Sequence, residues 1–171
     1  MTTIVAVKTA KGVKFAWDSQ TTWQHRSMLG AVKVFQNGPV TFGVAGLGRA
    51  SDVLKYMGVP DRKEYEPDFD NEAWIVRALV PAIIKEFKGV DVGESDSFST
   101  EAHVIISVGG DTGYLSGNLS FVRDESGTYA VGSGSPYALG ALSAGASPKK
   151  AVEIARDWDL YTGGEIKEMT V

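Results

Sequence analysis

The 171-residue chain has no cysteine and only two histidines, His25 and His103. The first absence excludes disulfides, thiolate metal sites and a cysteine nucleophile, and it accords with a reducing compartment. The second leaves little room for histidine chemistry. Neither histidine stands at ligand spacing from the other, and nothing places an activated serine beside either, so a histidine metal centre and a Ser-His-Asp triad are set aside. Basic residues are not in excess: 17 Lys and Arg face 21 Asp and Glu, for a formal charge of −4. With no basic cluster, a nucleic-acid-binding surface is not expected. No apolar run approaches the roughly 18 residues of a membrane span, and the first residues lack the basic-then-apolar order of a signal peptide. The expectation is a cytoplasmic protein that engages neither nucleic acid nor membrane.

What is present suits a single domain over residues 1–171. Hydrophobic residues make up 43% and charged residues 22%, ordinary values for a globular chain, and the length suffices for one substantial core but not two. Residues 3–8 and 13–17 read as strands joined by Ala10-Lys11-Gly12, a hairpin. Residues 32–35 and 40–45 read as two more, separated by Gln36-Asn37-Gly38-Pro39. Gly46-Leu47-Gly48 then breaks the strand, and Ser51 is placed to cap a helix running to about Met57. After a polar stretch from Pro60 to Asn71, Val76, Leu79, Val80, Ile83 and Phe87 recur at helical spacing. They predict a buried stripe, with Pro81 as a kink. Residues 89–100 predict a polar, mobile loop.

Strand patterns return at 103–108, 113–117, 119–122 and 128–132, followed by a helix of small residues from Tyr137 to Ala146. Ser147 as cap and Pro148 at the first helical position open another helix, on which Ala151, Val152, Ile154, Ala155 and Trp158 share a face. The tail from Glu165 to Val171 predicts a final strand. Runs of strands and pairs of helices, without strict alternation, favour an α+β fold of antiparallel sheets covered by helices.

Chemistry has few places to reside. Gly-Ser-Gly-Ser at 132–135 lies between a strand and a helix, where a phosphate could rest on backbone N–H groups, but no P-loop lysine follows. Asp18, in AWDSQTT, reads alone as a strand-end turn acid, and Lys33, in AVKVF, as a lysine facing water. Together with the opening MTTIVAV they meet a specific need. A threonine hydroxyl is a weak nucleophile and requires a nearby base. If Met1 is removed, the α-amine of Thr2, with a reference pKa of about 7.7–8.0, lies beside that hydroxyl. A buried lysine would lower the amine's pKa by like-charge repulsion, and an aspartate would keep that lysine charged and in place.

On TTIVAV, AWDSQTT, VKV, VAGLGRASD, YAVGSGSPYALGAL and DWDLYTGG, in that order from end to end, the chain resembles the proteasome β-type and HslV-like peptidases, a family of N-terminal-nucleophile threonine hydrolases. The resemblance implies a four-layer αββα sandwich of two mainly antiparallel sheets. It implies Thr2 as nucleophile, Asp18 and Lys33 as the pair that tunes it, and Gly46 as a backbone oxyanion donor. Ser133 and Asp159 would be supporting polar residues. Phe35 and Val44 would line the pocket for the substrate residue before the scissile bond. No cofactor is required, although some relatives hold a monovalent cation such as Na+ or K+ on backbone carbonyls, here near Arg156, Asp159 and Thr162. The implied partners are further copies of the chain in a homo-oligomeric ring, a separate ATPase unfoldase, and a peptide or unfolded protein as substrate. Trp17 and Leu47 depart from the family pattern and stand where they would narrow the substrate channel. The alternative is a catalytically silent structural or assembly protein of the same fold that retains Met1, and amidase chemistry on the same nucleophile is a further possibility.

Overall fold

The computed structural model describes residues 2–23, 26–64, 70–90, 92 and 100–171. In chain order the strands are β1 (Ile4–Thr9), β2 (Gly12–Asp18), β3 (Gln20–Trp23), β4 (Arg26–Leu29), β5 (Val34–Asn37), β6 (Val40–Ala45), β7 (His103–Val108), β8 (Asp111–Leu115), β9 (Phe121–Val122), β10 (Thr128–Val131) and β11 (Ile166–Thr170). The α-helices are α1 (Gly48–Tyr56), α2 (Asn71–Trp74), α3 (Val80–Gly89), α4 (Ser135–Ser143) and α5 (Pro148–Trp158).

Two antiparallel sheets face each other, one ordered β10-β1-β2-β11 and the other β5-β6-β7-β8-β9, with β3 and β4 forming a separate hairpin. The alternation of side chains along a strand sorts residues between layers. In β1, Ile4 and Ala6 join Phe15, Trp17, Val34 and Ile105 between the sheets. Val5 points the other way, onto Ala138, Ala151, Val152 and Ala155 of α4 and α5. The outer face of the five-stranded sheet buries Phe42, Val44 and Ile106 against Leu54 of α1 and Ile83 and Phe87 of α3. The result is four layers, helices–sheet–sheet–helices, as the resemblance implied. Gly43 keeps the sheets close, since a Cβ there would press on Ile4 at 3.2 Å and Phe15 at 3.4 Å. No helix among the described residues is long and apolar enough to cross a membrane.

Several local expectations need correction. The third strand of the sequence reading starts at Val34, two residues late, and Lys33 falls just ahead of it. Helix α1 begins at Gly48 with no side-chain cap, so Ser51 lies inside it. Pro81 is accommodated by a π-helical turn over Ile75–Leu79, whose extra residue relieves the clash that a proline ring makes with the preceding turn. That extra residue also rotates the helix face: Trp74, Ile75 and Ala78 are buried while Val76 is exposed. Ser147 caps α5 as expected, accepting from the Lys150 N–H. Trp158, at the end of α5, is 71% exposed instead of sharing the buried face. The β3–β4 hairpin had no counterpart in the sequence reading, and most of 89–100, like His25 and Met1, lies outside the described residues.

Candidate active site

Asp18 closes β2, and its carboxylate is fully enclosed. Four donors compensate that burial. Oδ1 accepts from the Thr3 backbone N–H at 2.9 Å and from Lys33 Nζ at 2.7 Å. Oδ2 accepts from the backbone N–H of Gln20 at 3.2 Å and of Gly163 at 3.0 Å. A buried carboxylate is tolerable only when its lone pairs are used in this way. Lys33 is itself 6% exposed, which rules out the solvent-facing reading of a lysine between valines. Burial pulls its ammonium pKa below the ordinary 10.5, and the charge and hydrogen bond of Asp18, with the charge of Asp159, pull it partly back.

A second cluster lies behind the first. Asp159 caps α5, and its Oδ2 accepts from Ser133 Oγ at 2.7 Å and from Thr162 Oγ1 at 2.6 Å. Thr162 Oγ1 is in turn 2.5 Å from Thr3 Oγ1. Thr3 therefore ties the two clusters together, with its N–H on Asp18 and its hydroxyl on the chain Thr162–Asp159–Ser133. The hydroxyl roles of Thr3 and Thr162 were missed in the sequence. Their only signal was polarity at positions that turn out to be buried. Gly134 has to be bare here, because a Cβ would run into Thr3 Oγ1.

Thr2 is 4% exposed and immediately precedes this junction. Its carbonyl lies against Gly132, which has φ +94° and no space for a Cβ. Thr2, Lys33, Val44 and Gly46 line one cleft of about 550 Å³, with Thr21, Thr22 and Leu47 on its walls. Gly46, at φ +91°, follows the end of β6, and a Cβ there would collide with the Glu101 carbonyl oxygen. Only glycine adopts that conformation and closeness readily.

The structure thus gathers Thr2, Asp18, Lys33, Val44 and Gly46 around the cleft, with Ser133 and Asp159 behind it. Phe35 is not brought there. One residue along from Val34, it points into the helix-covered core, its ring 5.8 Å from that of Phe42. Trp17 is packed between the sheets and does not narrow the cleft, whereas Leu47 does line it. At the turn after α5, the Asp159 carbonyl accepts from the Thr162 N–H at 3.1 Å and the Leu160 carbonyl from Gln20 Nε2 at 3.4 Å.

No family model matches the chain. Over 178 residues it is 28% identical to the ATP-dependent protease subunit HslV of Caldicellulosiruptor saccharolyticus, covering 96% of this chain and 95% of that protein. Its fold is similar to that of Thiobacillus denitrificans BPH, with a TM-score of 0.80, 21% identity, and 99% and 97% of the two chains covered. That protein has also been solved in complex with epoxomicin. HslV from Trypanosoma brucei superposes with a TM-score of 0.68 at 22% identity, over 99% of each chain. The likeness runs from end to end in sequence and in fold, and the fold is the one seen in BPH and in HslV.

Proposed function

From that relationship we propose that the chain is the peptidase subunit of a self-compartmentalised protease, with Thr2 as its nucleophile once Met1 is removed. The observation that carries this reading is the buried Lys33–Asp18 pair, at 2.7 Å, opening onto the cleft that Thr2 also lines. A buried ion pair is costly to keep without a task, and here the task is to set the protonation of the group beside it. Lys33 disfavours a second positive charge on the Thr2 amine, which leaves that amine free to act as base. Asp18 holds the proton on Lys33 against the pull of burial.

The reaction then runs on the chain's own residues. The Thr2 amine takes the Oγ proton as Oγ bonds to the substrate carbonyl carbon, and the carbonyl electron pair moves onto oxygen. The backbone N–H of Gly46 meets that oxyanion. Collapse re-forms the carbonyl and breaks the C–N bond, and the amine's proton passes to the leaving nitrogen. An ester remains on Thr2. Water attacks it while the amine takes a proton from the water. The acid product leaves and Oγ recovers its proton, so the enzyme returns unchanged. Val44, Val32 and Leu47 along the cleft favour an apolar side chain before the scissile bond.

The remaining parts of the reading are a homo-oligomeric ring, a peptide or unfolded protein as substrate, a separate ATPase that feeds it, and a cytoplasmic location. A silent assembly protein with Met1 retained has no observation in its favour, since Met1 lies outside the described residues. The test combines intact mass with hydrolysis of a short apolar peptide carrying an aminocoumarin leaving group. The expected protein is one methionine lighter than the full sequence and active. Thr2→Ala should fold with the wild-type unfolding midpoint and lose about 10⁴-fold or more in turnover. Wild-type turnover in Thr2→Ala would overturn the proposal.

A further inference from the structure

A second cavity, of about 670 Å³, abuts the first. Gly46 lines both. The second cavity continues past Gly132 and Ser133 to Glu101, His103 and Tyr114. Gly132 is the residue against which the Thr2 carbonyl and methyl lie, so both hollows border Thr2. A peptide whose carbonyl sits over Thr2, with its oxygen at Gly46, extends in two directions. The portion before the scissile bond occupies the cleft with Lys33 and Val44. The portion beyond it is left with the second cavity.

We infer that this second cavity binds the leaving side of the substrate and favours an arginine or lysine there. The inference rests on the threonine-peptidase reading. Its chemistry is readable from the lining. Glu101 is the one carboxylate among the described lining residues, and neither lysine nor arginine lines the cavity to neutralise it. His103 Nδ1 and the Tyr114 hydroxyl are 2.9 Å apart, and the two rings stack with centroids 6.2 Å apart at 16°. The pair makes a flat aromatic wall, the surface on which a guanidinium lies well while its N–H groups reach a carboxylate. Ser133 does not compete for the ligand, because its hydroxyl is donated to Asp159. The Glu101 carbonyl also abuts Gly46, so occupancy of this wall bears directly on the strand that would hold the oxyanion.

The experiment uses the assembled protein and internally quenched peptides that are identical up to the scissile bond. They carry arginine, leucine or glutamate at each of the next two positions, and product masses fix the point of cleavage. The short aminocoumarin peptide, with no residue beyond the scissile bond, runs in parallel on wild type. The expected result is a kcat/KM for arginine about tenfold above that for glutamate in wild type, the scale of one charge-assisted contact. Glu101→Gln should bring that ratio close to one, and Glu101→Lys should invert it. Equal rates for arginine and glutamate in wild type, or an arginine preference that survives in both variants, would overturn the leaving-side assignment while the short peptide is still cleaved. Failure to cleave the short peptide would overturn the threonine reading and this inference with it.

Discussion

Lys33 carries its charge where burial opposes it, and that opposition has a measurable sign. The unfolded side chain titrates near 10.5 and the folded one below it, chiefly through burial. Between those two values the unfolded chain binds more protons than the native one, so this group's contribution to stability rises with pH through that window and is a standing cost below it. Lys33→Met removes the titration. The unfolding free energy of wild type minus that of the variant should therefore climb as the pH is raised towards 10.5 in denaturant titrations, and a falling difference would contradict burial as the main cause. In turnover, Lys33→Ala should cost about 10³-fold or more in kcat/KM. Lys33→Arg should not restore it, because a rigid fork cannot reproduce the single contact on Asp18 Oδ1. At this scale the sequence was partly legible. That Thr2, Asp18 and Lys33 would come together was legible because one chemical need joins them, and the fold does gather them. Thr3 and Thr162 were not, because a buried hydroxyl relay leaves no spacing pattern. Phe35 shares the helix-covered face with Val44 but lies two residues beyond Lys33 along β5, opposite Phe42 and away from the cleft.

The elements hold the site through places where a side chain cannot fit. Gly132 links β10 to the loop before α4, with positive φ and the Thr2 carbonyl where its Cβ would be. Gly132→Ala should lower stability by about 1–3 kcal/mol in urea unfolding. It should lower peptide turnover by far more than the lost folded fraction accounts for, since the displaced residue is Thr2 itself. Gly140, inside α4, is the contrast. It has open space around it, so Gly140→Ala should raise stability by up to about 1 kcal/mol through helix propensity and loss of unfolded-state freedom. The order of strands and helices was legible from period and turn residues. Leu79, Val80, Ile83 and Phe87 are buried as the spacing predicted; only the first turn was misphased, because the π turn ahead of Pro81 buries Trp74 and Ile75 and leaves Val76 exposed. The β3–β4 hairpin was equally hidden, since QTTW and RSML carry no alternation sharp enough to separate strand from loop.

For the whole molecule, the telling apolar residues are those left outside the three cores. Leu160 is 89% exposed, Trp158 71% and Leu29 69%. Leu29 and Leu160 lie where the β3–β4 hairpin meets the turn between α5 and β11, and Trp158 ends α5 just ahead of that turn. A Cβ on Gly164 would touch Leu29, and Gln20 of the hairpin donates to the Leu160 carbonyl. Trp158 was assigned to a core face from its spacing on α5, and the spacing was sound. Trp158 nonetheless stands exposed at the last position of α5. A lone exposed leucine needs no explanation, but a cluster of this size on one edge marks a contact. Under the ring proposed here, the partner is a second copy of the chain. The double substitution Trp158→Asp and Leu160→Asp should shift native mass and sedimentation from the assembled ring to the monomer while far-UV circular dichroism stays unchanged. Rings that persist in the double variant would exclude this edge as the subunit contact. Because the edge is built from the hairpin and turn that also supply the Gln20 and Gly163 N–H donors to Asp18, the dissociated variant should lose peptidase activity along with its partners, and the two losses should follow the same concentration dependence.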